Sequence, residues 1–393
     1  MKKKIAFVIS TFMIGGQEKA LISMLNNIPK DKYDITVLAL FNEGDLKDFV
    51  PEWVKVKIIP KYNSNIKVCI LNSIKNIEFI SAIKKLYYSI NVKLSKTKAQ
   101  HNYYTAKLFP YLDEKYDVII HYHSTESFIL HYVAYRTKAK LKIAWIHSDV
   151  SNNFTIDKKI FKNIYSKYDK IFSVSQTSLD KFIKYFPETK NKIEVLYNIV
   201  DSKEIFELAN KEVGFDDNFN GIRILTVGRL CADKGQDKIP YIVRRLIDDG
   251  YNLKWYLVGD GDSRSIIEDK IKKLKIEKNL ILLGSKINPY PYIKECDIYV
   301  QPSVSEGFCI SLFEARCLNK PVISTNFNGA TEQIIDGQTG YIVPVNNNHE
   351  LYLKIRQILN NSDIAEKFSY NLSLQNHNTI SELDKLYKVI DKI

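Results

Sequence analysis

The chain has 393 residues, of which 45% are hydrophobic and 26% charged, and its formal net charge is +12. That length exceeds one ordinary domain and suits two of about 200 residues, and the composition excludes a disordered or low-complexity chain. Five scattered cysteines (Cys69, Cys231, Cys296, Cys309 and Cys317) contain no CxxC pair, which argues against a disulfide framework or zinc site and for a reducing compartment.

The start, MKKKIAFVISTFMIGGQEK, places basic residues before an apolar run, as secretory leaders do. No small-residue cleavage pattern follows, and IAFVIS (5–10) reads better as a first buried strand. DITVLAL (34–40), YDVIIHYH (116–123), KIAWIH (142–147), KIFSVS (170–175) and IEVLYNI (193–199) follow, each short, Val/Ile-rich and bounded by polar turns. After a polar break at 210–220 the rhythm restarts with IRILTVG (222–228), LKWYLVG (253–259), LILLG (280–284), DIYVQPS (297–303), PVISTN (321–326) and GYIVP (340–344). Helical patterns separate these runs. Continuous apolar strands alternating with helices predict parallel sheets covered on both faces. Two such series predict two doubly wound, Rossmann-like domains, with residues 1–203 and 204–379 as the two domains and 380–393 as a terminal helix returning to the first. No run of about 18 apolar residues occurs, so no transmembrane helix is expected.

The charge is uneven. Residues 51–110 hold eleven lysines (55, 57, 61, 67, 75, 84, 85, 93, 96, 98, 107) against Glu52 and Glu78. With its interleaved Ile, Leu, Phe and Tyr, that stretch suggests an anionic membrane surface as partner, although a merely solvated lysine face explains the charge as well. Nucleic acid is not expected, since no binding motif is present and arginine is scarce.

Ligands of doubly wound sheets sit beyond the carboxyl ends of the strands, and chemistry-bearing residues gather there. Gly15, Gly16 and Glu18 follow the first strand without a GxGxxG fingerprint. His147 closes strand 142–147. Arg229 and Lys234 stand in GRLCADKG, a planar fork and a point charge suited to a diphosphate. Ser305-Glu306-Gly307-Phe308-Cys309 opens a helix beginning near Ile310, whose free amides form an anion site. At about 100° per residue Glu314 lies within the apolar arc of that helix and Arg316 on the opposite side. A carboxylate there must be satisfied, either by nearby polar groups or water, or by a ligand whose hydroxyls it accepts. His121 and His123 share a strand face but lack an acid to complete a metal set, and Asp260-Gly261-Asp262 reads as a turn rather than a metal motif.

In order along the chain, GGQE, the strand ending at His147, LYNIVD (196–201), GRLCADKG, EGFCISLFE and PVISTNFNGATEQIIDGQTGYIVP resemble the motifs of retaining glycosyltransferases of family four (group 1), which have the GT-B fold: two Rossmann-like domains facing across a cleft. This resemblance implies that Arg229 and Lys234 bind the diphosphate of a nucleotide-sugar donor and that Glu314 takes the ribose. It further implies that Glu306 with Gly307, Phe308, Cys309 and Ile310 holds the sugar, that His147 contacts the sugar, and that Gly16 approaches the donor. Gly15, Gly16 and Glu18 fall on the acceptor side, and His147, Arg229, Lys234 and Glu306 are the expected catalytic set. No cofactor and no metal are expected, the donor being a substrate, with UDP the expected nucleotide. The implied acceptor is a lipid-linked glycan or cell-envelope polysaccharide of a bacterium, and the implied location is the cytoplasm, peripheral on the inner membrane face. A two-Rossmann nucleotide-sugar epimerase and a non-catalytic nucleotide-sugar-binding protein are the alternatives. Two positions depart from the family pattern: Ile199 and Cys309 stand where glycine is usual.

Overall fold

The computed structural model describes residues 2–59, 79–148 and 157–393. The chain divides into two compact units: Met1–Met13 with Met24–Tyr197 and Glu382–Ile393, and Ile14–Ser23 with Asn198–Ser381.

The first unit is built on a seven-stranded parallel sheet. Its strands are β1 (Lys3–Ile9), β2 (Tyr33–Ala39), β3 (Lys55–Ile58), β4 (Tyr116–His121), β5 (Ala139–Ile146), β6 (Lys170–Ser173) and β7 (Ile193–Val195). They run in the order β3-β2-β1-β4-β5-β6-β7. The six apolar runs read from the sequence all form strands. The unread strand, β3, has the sequence KVKI. As an edge strand it needs no continuous apolar run, and lysine discourages further pairing there. Lys55 reaches back to Asp34 on β2 at 2.8 Å.

The second unit carries a six-stranded sheet: β8 (Ile222–Val227), β9 (Leu253–Val258), β10 (Leu280–Gly284), β11 (Ile298–Gln301), β12 (Val322–Thr325) and β13 (Gly340–Val343). The order is β10-β9-β8-β11-β12-β13, again all parallel. In each sheet the winding reverses beside its first strand, between β1 and β4 and between β8 and β11. A doubly wound sheet opens a crevice at such a reversal, outside the carboxyl ends of the strands. The cores are apolar, with Trp255, Ile224, Val300 and Ile323 at the centre of the second and Ala6, Ile119, Ala144 and Ile171 in the first.

The boundary falls at Tyr197–Asn198, slightly before the residue 203 read from the sequence, because Asn198 and Val200 are tied to Thr379 of the second unit. The Thr379 hydroxyl donates to the Asn198 carbonyl at 2.8 Å and accepts the Val200 amide at 2.7 Å. Ile199 is buried and has no left-handed backbone, so this link needs no glycine. The terminal helix is shorter than read, Leu383–Ile390. It groups with the first unit: Tyr387 stacks on Tyr33 with centroids 5.7 Å apart, and the Tyr33 hydroxyl donates to Asp391 at 3.0 Å.

Buried imidazoles in the first unit, among them His121, His131 and His147, make its stability acid-sensitive. His131 on helix Phe128–Arg136 is fully buried, and neither ring nitrogen has a hydrogen-bond partner. Burial lowers its pKa from 6.5 to about 3. His147 is likewise lowered to about 3 by burial, with His123 adding repulsion. Both are neutral in the folded chain and protonate readily once unfolded. Their depressed values mean that stability is complete above about 6.5 and is lost as pH falls toward the folded values. His131→Phe should therefore flatten the loss of thermal midpoint between pH 6.5 and about 4, as measured by circular dichroism; an unchanged slope counts against this account.

Candidate functional site

Beyond β8 the chain turns through 228–236, and beyond β11 through 302–309. Two groups lock these neighbouring loops together. The Asp233 carbonyl accepts the amides of Val304 at 2.7 Å and Ser305 at 3.2 Å. Gly235 adopts φ 68°, and a Cβ on it would stand 2.3 Å from the Pro302 carbonyl oxygen, an approach that glycine alone permits. The buried Gln236 amide donates to the carbonyls of Gly228 and Arg229 at 3.3 and 3.0 Å, fixing the turn that carries Arg229. This framework sets Lys234 against Glu306 as an ion pair, and the Ser303 hydroxyl donates to the same Glu306 oxygen at 2.8 Å. Burial works against the Lys234 charge, but Glu306 together with the nearby Cys309 and Cys231 outweighs it, so the lysine pKa is raised.

Helix Ile310–Cys317 follows. Its first amides have no carbonyl within the helix to accept them, and Cys309, which precedes it, provides no side-chain cap. Gly307 and Phe308 are buried, and the Phe308 carbonyl accepts the side-chain amide of Gln333. Cys309 takes φ 67°, the left-handed region that explains why glycine suits this position and that costs an L-residue about 1 kcal/mol. Its thiol lies 3.6 Å from the Ser311 hydroxyl.

Glu314, one turn into that helix, is only 3% exposed. The Tyr290 hydroxyl donates to its Oε1 at 2.9 Å, and Lys19 Nζ stands 3.8 Å from the same oxygen. Lys19 also lies over the Tyr290 ring, 5.0 Å from its centroid. Burial, reinforced by Glu314, raises the Tyr290 pKa and keeps it a donor. The acid within the apolar arc is thus satisfied by a phenol and an ammonium from distant sequence, and neither partner was read from the sequence. Arg316, read as lying on the open side, is 8% exposed and donates to Gln375 at 3.0 Å. The tail of the second unit covers that face, and burial lowers the Arg316 pKa to about 10.

Residues 14–23, read as part of the first domain, group with the second unit because their contacts lie there. A Cβ on Gly16 would stand 3.5 Å from Ile310 Cδ1, while one on Gly15 would stand 2.3 Å from Glu18 Oε2 and 3.9 Å from Arg229 Nη2. Glu18 is held above its ordinary pKa by burial, against the pull of a backbone amide and Arg229. Three carboxylates and three cations therefore gather about the helix start: Glu18 near Arg229, Glu306 with Lys234, and Glu314 near Lys19.

His147 belongs to the first unit. Just past β5, it is buried against Tyr122, with ring centroids 4.3 Å apart, and stacks on Trp145. Its Nε2 has no hydrogen-bond partner. His121 Nε2 and His123 Nδ1 meet the hydroxyls of Ser127 and Ser124 at 3.1 Å, and Asp260 accepts the Gly261 amide at 2.8 Å. Among the described residues no group of three His, Cys, Asp or Glu side chains is placed to hold a metal ion.

The Cys309 thiol is pushed up to about 12 by burial, with Glu306 contributing. It should resist iodoacetamide in the folded protein at about pH 8 and react only on unfolding. Peptide mass spectrometry measures this, and rapid alkylation without unfolding would contradict the assigned burial.

Two family models match the chain: Glycosyltransferase Family 4 over residues 14–204 and Glycosyl transferases group 1 over residues 210–374. A Campylobacter jejuni protein named N-acetylgalactosamine-N,N'-diacetylbacillosaminyl-diphospho-undecaprenol 4-alpha-N-acetylgalactosaminyltransferase is 29% identical over 222 residues, 56% of this chain and 59% of that protein. Staphylococcus aureus capsular polysaccharide biosynthesis glycosyltransferase CapM is 28% identical over 56% of this chain and 62% of its own. These two matches span less than two thirds of the length of each relative. An Escherichia coli UDP-Gal:alpha-D-GlcNAc-diphosphoundecaprenol alpha-1,3-galactosyltransferase is 24% identical over 98% of this chain and 96% of its own. Among solved structures, Anabaena Alr3699/HepE in complex with UDP and glucose superposes over 100% of both chains with a TM-score of 0.73 and 17% identity, which establishes the fold.

Proposed function

From the premise that the chain belongs to the group 1 glycosyltransferases of family four and has the GT-B fold, we propose that it moves a hexose-type sugar from a UDP-sugar to a lipid-linked oligosaccharide or cell-envelope polysaccharide, with retention and without a metal. The observation that carries this reading is the convergence of Arg229, Lys234, Glu306, Glu314 and the helix start at Ile310 on the reversal between β8 and β11. UDP is the proposed nucleotide because the Anabaena structure contains it and the Escherichia coli relative is named for UDP-Gal. The lipid-linked acceptor is proposed from the names of the Campylobacter and Escherichia coli relatives.

In this reaction the bond between the anomeric carbon and a diphosphate oxygen breaks, and its electron pair leaves with the diphosphate. The acceptor hydroxyl oxygen bonds to that carbon on the same face, and its proton passes to the leaving group. Charge develops on the diphosphate, so cations and amides already aimed at it stabilise the transition state more than the ground state. Arg229 and Lys234 are assigned that task, with the helix amides beside them. A bound diphosphate competes with Glu306 for Lys234, which frees Glu306 to accept hydroxyls of the sugar. Tyr290 and Lys19 both address Oε1 of Glu314, and Oε2 is assigned to the ribose. Burial keeps His147 neutral, and a sugar contact is assigned to its unpaired Nε2.

Calorimetric titration of UDP, GDP and ADP with a chelator present tests the donor site. UDP should bind, and Lys234→Ala and Glu314→Gln should each weaken it about tenfold or more. Absence of nucleotide binding with chelator would end the metal-free donor assignment. Anomeric NMR of the product tests retention, and His147→Ala should lower kcat with nucleotide affinity intact. Net sugar transfer also separates this reading from epimerisation, and from binding without turnover.

A further inference from the structure

Helix Phe79–Leu94 exposes six large apolar side chains. With Ile80 at zero and about 100° per residue, Leu86, Ile90, Ile83, Leu94 and Tyr87 fall at about 240, 280, 300, 320 and 340°. Together with Ile80 they form one arc about 120° wide. All six are exposed, from 48% for Leu86 and Ile90 to 71% for Ile80. The rest of the helix surface is less exposed: Tyr88, Ser81 and Val92, at about 80, 100 and 120°, are half-buried, and Ser89 and Ala82, at about 180 and 200°, are buried. The helix thus leaves a stripe of six large apolar side chains exposed, where an ordinary surface helix presents polar ones. A contiguous apolar face of this kind marks an interaction surface.

The charges choose the occupant. The helix contains Lys84, Lys85 and Lys93 and no acid. Lys84 and Lys93 are exposed and border the arc at about 40 and 220°. Elsewhere in residues 51–110 Lys55 pairs with Asp34 and Lys57 with Glu114, while Lys96 and Lys98, just beyond the helix, are exposed. Lys107 lies 3.9 Å from the Tyr135 ring centroid, its pKa lowered to about 8 by burial. Lys61, Lys67 and Lys75 fall outside the described residues. Two copies of this helix set face to face would bring lysine borders together with no acid on either helix to answer them. An anionic lipid surface takes in the apolar arc and satisfies both borders at once. Among the described residues no helix is long and apolar enough to cross a membrane, so the contact is one of lying in the surface.

We propose that helix Phe79–Leu94 docks in the plane of an anionic bilayer, with Ile80, Ile83, Leu86, Tyr87, Ile90 and Leu94 in the acyl boundary and Lys84 and Lys93 at the phosphates. This deepens the reading of a lipid-linked acceptor and rests on it only for the purpose of docking; the docking itself is measured without donor or acceptor.

The test is co-sedimentation with phosphatidylcholine vesicles containing about one third phosphatidylglycerol, and with phosphatidylcholine alone. The full chain should partition at least about tenfold more to the anionic vesicles. The triple variant Ile83→Gln, Ile90→Gln, Leu94→Gln should lose about tenfold or more of that binding, and the pair Lys84→Gln, Lys93→Gln should remove most of the preference for anionic lipid. All five positions are exposed, so thermal midpoints should hold. Tyr87→Trp gives a second readout, the emission of the introduced indole shifting blue on anionic vesicles. Equal partition to both vesicle types, undiminished binding of the triple variant, or an unshifted indole emission in the Tyr87→Trp variant overturns the proposal. So does a concentration-dependent dimer that the triple variant abolishes, since the occupant is then a second copy. Nucleotide calorimetry without vesicles judges the transferase reading separately, so either can fail alone.

Discussion

The ion pair between Lys234 and Glu306 is the constraint around which the second unit arranges its functional residues. It joins the loop after β8 to the loop after β11, on the two sides of the point where the sheet reverses. The pairing is possible because the Asp233 carbonyl takes two amides of the facing loop and because Gly235 passes close to Pro302. Removing either charge would leave the other half-buried beside a helix start, and an unanswered buried charge is more costly than the pair is stabilising. Such a pair is also easily repurposed. In the proposed reaction an incoming dianion would offer Lys234 a stronger partner and leave Glu306 to accept sugar hydroxyls.

The same economy recurs at Glu314 and Glu18. Each carboxylate in this cluster has a cation close by, so the site carries balanced charge before any ligand arrives. Tyr290 contributes a neutral donor that burial prevents from ionising. Glu314 is therefore oriented by a neutral hydrogen bond as well as by the nearby ammonium of Lys19. The first unit uses burial differently. Its imidazoles His121, His131 and His147 are held neutral by desolvation, and six exposed apolar residues of that unit share one helix surface.

Much was legible in advance because strand patterning and loop chemistry are local. Every apolar run read as a strand is one. The edge strand KVKI escaped because half of its residues are lysines, and an edge strand has only one neighbour to satisfy. Arg229, Lys234, Glu306 and Glu314 were named from their positions at strand ends and helix starts. What that reading could not supply were partners far away in the chain. Lys19 and Tyr290 reach Glu314 from other parts of the sequence, and Arg316 is covered by a tail that periodicity cannot place.

By itself, then, the order of residues determined the succession of strands and helices, the presence of two wound sheets and the residue types at their carboxyl ends, since each follows from propensity and patterning within a few neighbours. Tertiary structure decided which carboxylate meets which cation and that residues 14–23 side with the second unit. It also decided that six large apolar residues of helix Phe79–Leu94 are exposed. Those outcomes depend on packing between segments distant in sequence, where side-chain size and burial, not local pattern, select the contacts.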